Sequence, residues 1–83
     1  GKPEPDAYLL GAKGLGLAPA ECAVVEDAAA GVLSGLAAGC RVIAVNVPAE
    51  APRLDEADYV LTSLTQIEVH KDAGGLVQVD LKA

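Results

Sequence analysis

Residues 22–47, CAVVEDAAAGVLSGLAAGCRVIAVNV, decide the fold. Cys22-Ala23-Val24-Val25 is a short run with apolar side chains on both faces, as a strand buried inside a parallel sheet requires. It stops at two acids, Glu26 and Asp27. From Ala28 to Ala38 the pattern turns helical: Val32, Leu33, Leu36 and Ala37 share one stripe, Gly31 and Gly35 lie on a neighbouring line, and Gly39 supplies the stop. Helical glycines on one line allow the helix to sit close to a sheet. Arg41-Val42-Ile43-Ala44-Val45-Asn46-Val47 is again a strand without polar alternation. A strand, a helix and a strand in so short a stretch make a βαβ unit, whose crossover should be right-handed.

Working outward toward the N-terminus, Lys2-Pro3-Glu4-Pro5-Asp6 predicts an extended approach and then a helix start, with Pro5 in the first turn and Asp6 complementing the helix dipole. Tyr8, Leu9, Ala12 and Leu15 recur at helical spacing, so the helix should run from about residue 5 to 15 and end near Gly16. Toward the C-terminus, Pro48 through Asp55 is expected to be a loop with a short acidic helix, Asp58-Tyr59-Val60-Leu61 a third strand, and Thr62-Ser63-Leu64-Thr65 a turn. Ile67–His70 and Leu76–Leu81, joined by Lys71-Asp72-Ala73-Gly74-Gly75, fit a β-hairpin. The fold class is therefore α/β: a Rossmann-like parallel sheet with flanking helices, plus a C-terminal β-hairpin. The expected division is 1–65 for the sheet-bearing part and 66–83 for the hairpin extension.

Composition bounds what such a chain can do. With 83 residues it has room for one compact unit, and a chain that short is marginal alone unless a partner or further segment completes its core. A net charge of −6 repels phosphate backbones and anionic membrane surfaces, and an aromatic content of 2% leaves no stacking platform for bases. Nucleic acid and membrane are thus disfavoured as partners. Neither a membrane-spanning run nor a signal peptide is legible, so a cytoplasmic protein is expected. Cys22 and Cys40, with no CxxC and no His pair, offer neither a disulfide scaffold nor a zinc site and are expected to be small buried residues in a reducing compartment.

The chemistry concentrates at Glu26 and Asp27. Acids at the carboxyl end of a parallel strand, followed at once by a small-residue helix, lie where open α/β sheets place their ligands. Adjacent carboxylates repel each other unless both are solvated or a cation sits beside them, and Mg²⁺ prefers such oxygen donors. The competing assignment for Asp27 is an ordinary helix cap ahead of Ala28. Lys2, just before Pro3, could aim an ammonium at a phosphate, or simply face solvent. Gly14-x-Gly16 lacks the third glycine of a dinucleotide fingerprint and is expected to end a helix. His70 stands without a second ligand and fits a surface strand. Ser34 and Ser63 match no nucleophile elbow.

Taken together, Gly1-Lys2-Pro3-Glu4-Pro5-Asp6-Ala7-Tyr8-Leu9, then Cys22 through Val32, then Ala38 through Val45 closely resemble the C-terminal half of haloacid dehalogenase-like phosphatases. The resemblance covers roughly residues 1 to 65. It lies closest to the branch that holds β-phosphoglucomutase and the small sugar- and polyol-phosphate phosphatases. It implies an aspartate that attacks phosphate, an aspartyl-phosphate that water hydrolyses, and Mg²⁺ as cofactor. It also implies roles: Lys2 as the catalytic, phosphate-binding lysine, Asp27 as the Mg²⁺ ligand, and Glu26 as its neighbour, acting on the metal directly or through water. Ala28 stands where many relatives carry Ser or another small residue.

The chain also departs from the family pattern. A DxDGT-like motif, which would supply the nucleophile and the acid/base aspartate, is absent from these 83 residues, as are the Ser/Thr phosphate motif and the helical cap that selects substrate. All three precede the lysine segment in relatives. The expectation is thus the C-terminal part of a Mg²⁺-dependent phosphatase of small phosphorylated sugars or polyols, inactive alone and partnered by the N-terminal part of the same protein. The alternatives are a phosphomutase of the same family and a non-catalytic α/β interaction remnant.

Overall fold

A computed structural model describes residues 4–75 and 77–82. Helix α1 spans Asp6–Leu15, strand β1 Ala23–Glu26, helix α2 Ala29–Ala38, strand β2 Arg41–Val45 and strand β3 Tyr59–Leu61. Strands β4, Ile67–Lys71, and β5, Val77–Leu81, follow, and single 3₁₀ turns occupy Pro19–Glu21, Leu54–Glu56 and Leu64–Gln66. The expected acidic helix between β2 and β3 is one of these turns.

Strands β1, β2 and β3 form a parallel sheet in that order. Its register pairs Ala23 with Arg41 and Glu26 with Ala44, then Ile43 with Tyr59 and Val45 with Leu61. Asp58 lies just outside β3 yet ties it to β2. Its backbone N–H donates to the Val42 carbonyl at 2.9 Å, and its carboxylate accepts from the Val42 N–H at 2.7 Å. Strands β4 and β5 form a separate antiparallel pair, with Ile67 opposite Leu81 and Lys71 opposite Val77.

The core lies between α2 and the sheet. Val24, Val32, Ala38, Cys40, Val42, Ala44, Val47 and Leu54 cluster there, with Tyr8 of α1 and Cys22 packed at the margin. Gly35 sets the closeness of the layers: a Cβ on it would lie 2.7 Å from a Val24 methyl and 2.9 Å from a Val42 methyl. Ser34, 1% exposed, donates from Oγ to the Glu4 carbonyl at 2.8 Å and fastens the approach to α1 onto α2. Both helices end as their sequences predict, on glycines in the left-handed conformation: Gly16 at φ 72° and Gly39 at φ 79°.

The start of α1 differs from expectation, with Pro5 standing as the cap rather than inside the first turn, and Asp6 opening the helix. Strand β2 is also shorter than expected. It stops at Val45 because Asn46 turns into the left-handed region at φ 55°, a conformation Asn tolerates better than most residues. The opposite face of the sheet has a thinner cover. Val79 and Leu81 of the hairpin face Ala23, Ile43 and Tyr59 across a cavity of about 440 Å³.

Candidate functional site

The carboxyl ends of all three parallel strands open onto one cavity of about 570 Å³, lined by Val25, Glu26, Asp27, Val45, Asn46, Thr62, Ser63 and Leu64. A parallel sheet points every strand the same way, so the segments leaving β1, β2 and β3 converge at one edge. The sequence put Glu26 and Asp27 at that edge, and they are there, at the last residue of β1 and the one after it.

Successive side chains on extended backbone project to opposite sides. Glu26 accordingly turns toward α2, where a Cβ on Gly31 would fall on top of its carboxyl group. Gly31 is thus the vacancy in the first turn of α2 that accommodates this carboxylate, whose charge suits a helix N-terminus. Asp27 is exposed. The capping role weighed for Asp27 is not what is observed: Ala28, with extended φ −130° and ψ 148°, is the cap residue of α2. Asp27 thus lines the cavity from its exposed rim.

The sequence does not point to Asn46 and Thr62, and Ser63 enters it only as a serine that matches no nucleophile elbow; the cavity shared by the three depends on the parallel pairing of β2 with β3. The signal that could have found Asn46 is its position as the first polar residue after an apolar strand, the same position that draws attention to Glu26 on β1. The loop after β3 is held open by Gln66, whose Oε1 accepts from the Thr62 N–H at 2.8 Å and the Ser63 N–H at 3.0 Å. Ser63 Oγ accepts from the Thr65 N–H at 3.2 Å. Lys2 lies outside the described residues. His70 is a surface strand residue, 3.4 Å from Asp80, remote from the cavity lining.

The donor set suits a hard cation in kind. Both acids offer carboxylate oxygens, and Mg²⁺ is commonly held by one or two carboxylates, completing its shell with water and substrate phosphate. Among the described residues no group of three or more His, Cys, Asp or Glu side chains is placed to hold a metal ion.

A parallel α/β unit with an acidic pair at its strand ends is a Rossmann-like frame whose ligand-binding edge lies at those acids. The chain belongs to the haloacid dehalogenase-like hydrolase family, whose model matches residues 1–39. It is 75% identical over 75 residues to Hexitol phosphatase A of Escherichia coli (strain K12), a match covering 90% of this chain and 35% of that protein. It is 40% identical over 67 residues to the Beta-phosphoglucomutase of Bacillus subtilis (strain 168), covering 81% of this chain and 28% of that protein. Among solved structures it is similar to a HAD family hydrolase from Deinococcus radiodurans R1 with bound phosphate and sodium. That likeness has a TM-score of 0.65 and 41% identity, over 76% of this chain and 31% of the other. The chain therefore spans about a third of the length of such relatives. No helix among the described residues is long and apolar enough to cross a membrane.

Proposed function

We propose that this chain is the part of a cytoplasmic, Mg²⁺-dependent phosphatase that carries the metal and the phosphate-binding lysine, acting on small phosphorylated sugars or polyols. The observation that carries this reading is the acidic pair Glu26-Asp27 at the rim of the strand-end cavity, in a chain 75% identical to a hexitol phosphatase. Asp27 would ligate Mg²⁺ directly, and Glu26, turned against Gly31, would act on it through water. Bound there, the cation would supply positive charge that draws phosphate oxygens toward a nucleophile. Lys2 would hold those oxygens from the side and offset their charge. The attacking aspartate would come from a segment outside these 83 residues, because no DxDGT-like motif occurs within them.

A phosphomutase is the second reading, and the similarity to Beta-phosphoglucomutase supports it. Identity of 75% to a phosphatase against 40% to the mutase favours hydrolysis. The same proposal divides the chain into a core portion, 1–65, and a hairpin extension, 66–83. Limited proteolysis that removes the hairpin and leaves a folded remainder would support that division.

The decisive experiment replaces the matching segment of Hexitol phosphatase A with this chain and measures phosphate release from hexitol and hexose phosphates as Mg²⁺ is varied. Release that requires Mg²⁺ is the expected result. A folded chimera that transfers phosphate between positions of a sugar without releasing it would establish the mutase. One that does neither would establish a non-catalytic remnant.

A further inference from the structure

Cys22 and Cys40 stand at matching positions in the molecule. Strand register pairs Ala23 with Arg41, so the residue before each strand faces the other, and the Arg41 N–H donating to the Cys22 carbonyl at 2.9 Å carries the pairing to that level. Side chains alternate along a strand, so Cys22 shares a face with Val24, and Cys40 shares that face with Val42. Both belong to one packed cluster: Cys40 is in the core at 8% exposure, and Cys22, half-buried, packs at its margin. Adjacent strands lie about 4.8 Å apart, within the Cα separation that a disulfide tolerates. Both thiols are free in this structure.

We propose that Cys22 and Cys40 form a reversible intrachain disulfide when the chain meets a hydroperoxide. Cys22 is the entry point because it is the more exposed thiol, with its Sγ donating to the Ala18 carbonyl at 3.6 Å at the mouth of the strand pair. As its thiol proton is released, the Cys22 sulfur attacks a peroxide oxygen, the O–O bond breaks, and the departing oxygen takes up a proton to leave as an alcohol, or as water from hydrogen peroxide. Cys22 is then a sulfenic acid. The Cys40 sulfur attacks the Cys22 sulfur, the S–O bond breaks, and the hydroxide leaves as water with the Cys40 proton. Two electrons pass from the two sulfurs to the peroxide, and the products are a disulfide, one alcohol or water, and one further water. Burial pushes the Cys40 thiol above its ordinary value, and the neighbouring Cys22 adds to the rise. That favours Cys40 as the protonated, resolving partner.

Parallel strand spacing exceeds the usual Cβ separation of a disulfide by about 1 Å. Closing the bond must therefore draw the strand ends together, and a strained bond is readily reduced. The pair would act as a recoverable sink for oxidant at the end of the sheet opposite the strand-end cavity.

The test treats the full 83-residue chain with hydrogen peroxide and follows thiol titre and peptide mass. Both cysteines lie in one tryptic peptide, residues 14–41, which should become about two mass units lighter, with both thiols lost and both recovered by dithiothreitol. Oxidation should be roughly tenfold or more faster in the folded chain than in urea, because the register holds the sulfurs together. Cys22→Ser and Cys40→Ala should each abolish the mass loss. If one variant fails to fold, the wild-type rate comparison in and out of urea still decides the matter. Covalent dimers, oxygen added to the peptide without loss of hydrogen, or faster closure in urea would each overturn the proposal.

Discussion

Val42 and Val79 are the same residue in the same kind of element, yet Val42 is fully buried and Val79 is 40% exposed. The difference separates two regions of the molecule. In the β1–α2–β2 unit the parallel strand β2 lies between neighbours on both edges, with α2 against one face, so it buries side chains on both sides. In the hairpin each strand has one partner, and cross-strand ties carry much of the organisation. Lys82 Nζ lies 2.7 Å from Glu68, and the Asp72 carboxylate receives the Gly74 N–H at 2.9 Å and the Gln78 side-chain amide at 3.1 Å. The lesson is that the first region is held by shape and the second by local pairing. Substitutions should reveal it.

The largest effect is expected where shape serves chemistry rather than stability. In the chimera described above, Asp27→Asn should lower Mg²⁺-dependent phosphate release by roughly a hundredfold or more, and more than Glu26→Gln does. The thermal midpoint should stay put, since Asp27 is exposed and does not cap α2. A loss of stability with an intact Mg²⁺ response would break the claim that the strand-end acids are functional. Lys2→Ala should be comparably severe, and Lys2→Arg should not fully restore turnover, because a planar fork does not reproduce a compact ammonium.

Next comes the closest approach in the core. Gly35→Val places a branched side chain against Val24 and Val42, where even a Cβ would stand under 3 Å from both, and should cost about 3 kcal/mol in urea unfolding. The same replacement at Gly11, around which there is open space, should cost well under half of that. Because Val is a better helix former than Gly, propensity alone would make both changes neutral or slightly stabilising, so equal costs at the two glycines would show that the close approach at Gly35 is not what sets the loss there.

The paired valines sharpen the comparison directly. Val42→Ala removes methyl groups from a filled core and should cost about 2 kcal/mol, against about 0.5 kcal/mol or less for Val79→Ala. Urea midpoints of the two variants check the ratio. Comparable losses would mean that the hairpin is as well packed as the sheet.

The smallest effect belongs to the surface of the sheet-bearing region. Arg53 Nε donates to Glu56 at 2.6 Å, and this hydrogen bond holds the Glu56 carboxyl below its ordinary value. A carboxylate lowered in the folded state stabilises above its unfolded pKa and loses that contribution as pH falls through the lower folded value. Both groups are exposed and screened by solvent. Arg53→Ala should therefore lower the urea midpoint slightly at pH 6, and the gap should close below about pH 4. A gap that widened on acidification would reverse the assignment.

Much of this molecule is legible in its sequence. Uninterrupted apolar runs at Ala23–Val25 and Val42–Val45 mark the strands of a parallel sheet, but only β2 is buried on both faces; β1, expected to be buried likewise, lies at the sheet edge with Val25 47% exposed. Gly16 and Gly39 had to end helices because few other residues enter the left-handed region without cost. The hairpin follows from alternation around an Asp/Gly-rich link. Placing Glu26 and Asp27 at the carboxyl end of a strand needed only the order of the residues.

Tertiary structure decided what depends on residues far apart in the chain. Whether Asp27 capped α2 or faced a cavity turned on one backbone torsion at Ala28, which the residue types leave open. That Asn46, Thr62 and Ser63 share a cavity with the acidic pair follows from β2 lying between β1 and β3, a pairing no local pattern encodes. Gly31 looks like a helix-on-sheet contact and instead makes room for the Glu26 carboxyl, while Gly35 is the glycine whose missing side chain lets α2 approach Val24 and Val42. The physical reason is common to all three. Local sequence fixes the torsions a segment prefers and the face it must bury, whereas a site is made by which segments meet, and packing over the whole chain sets that.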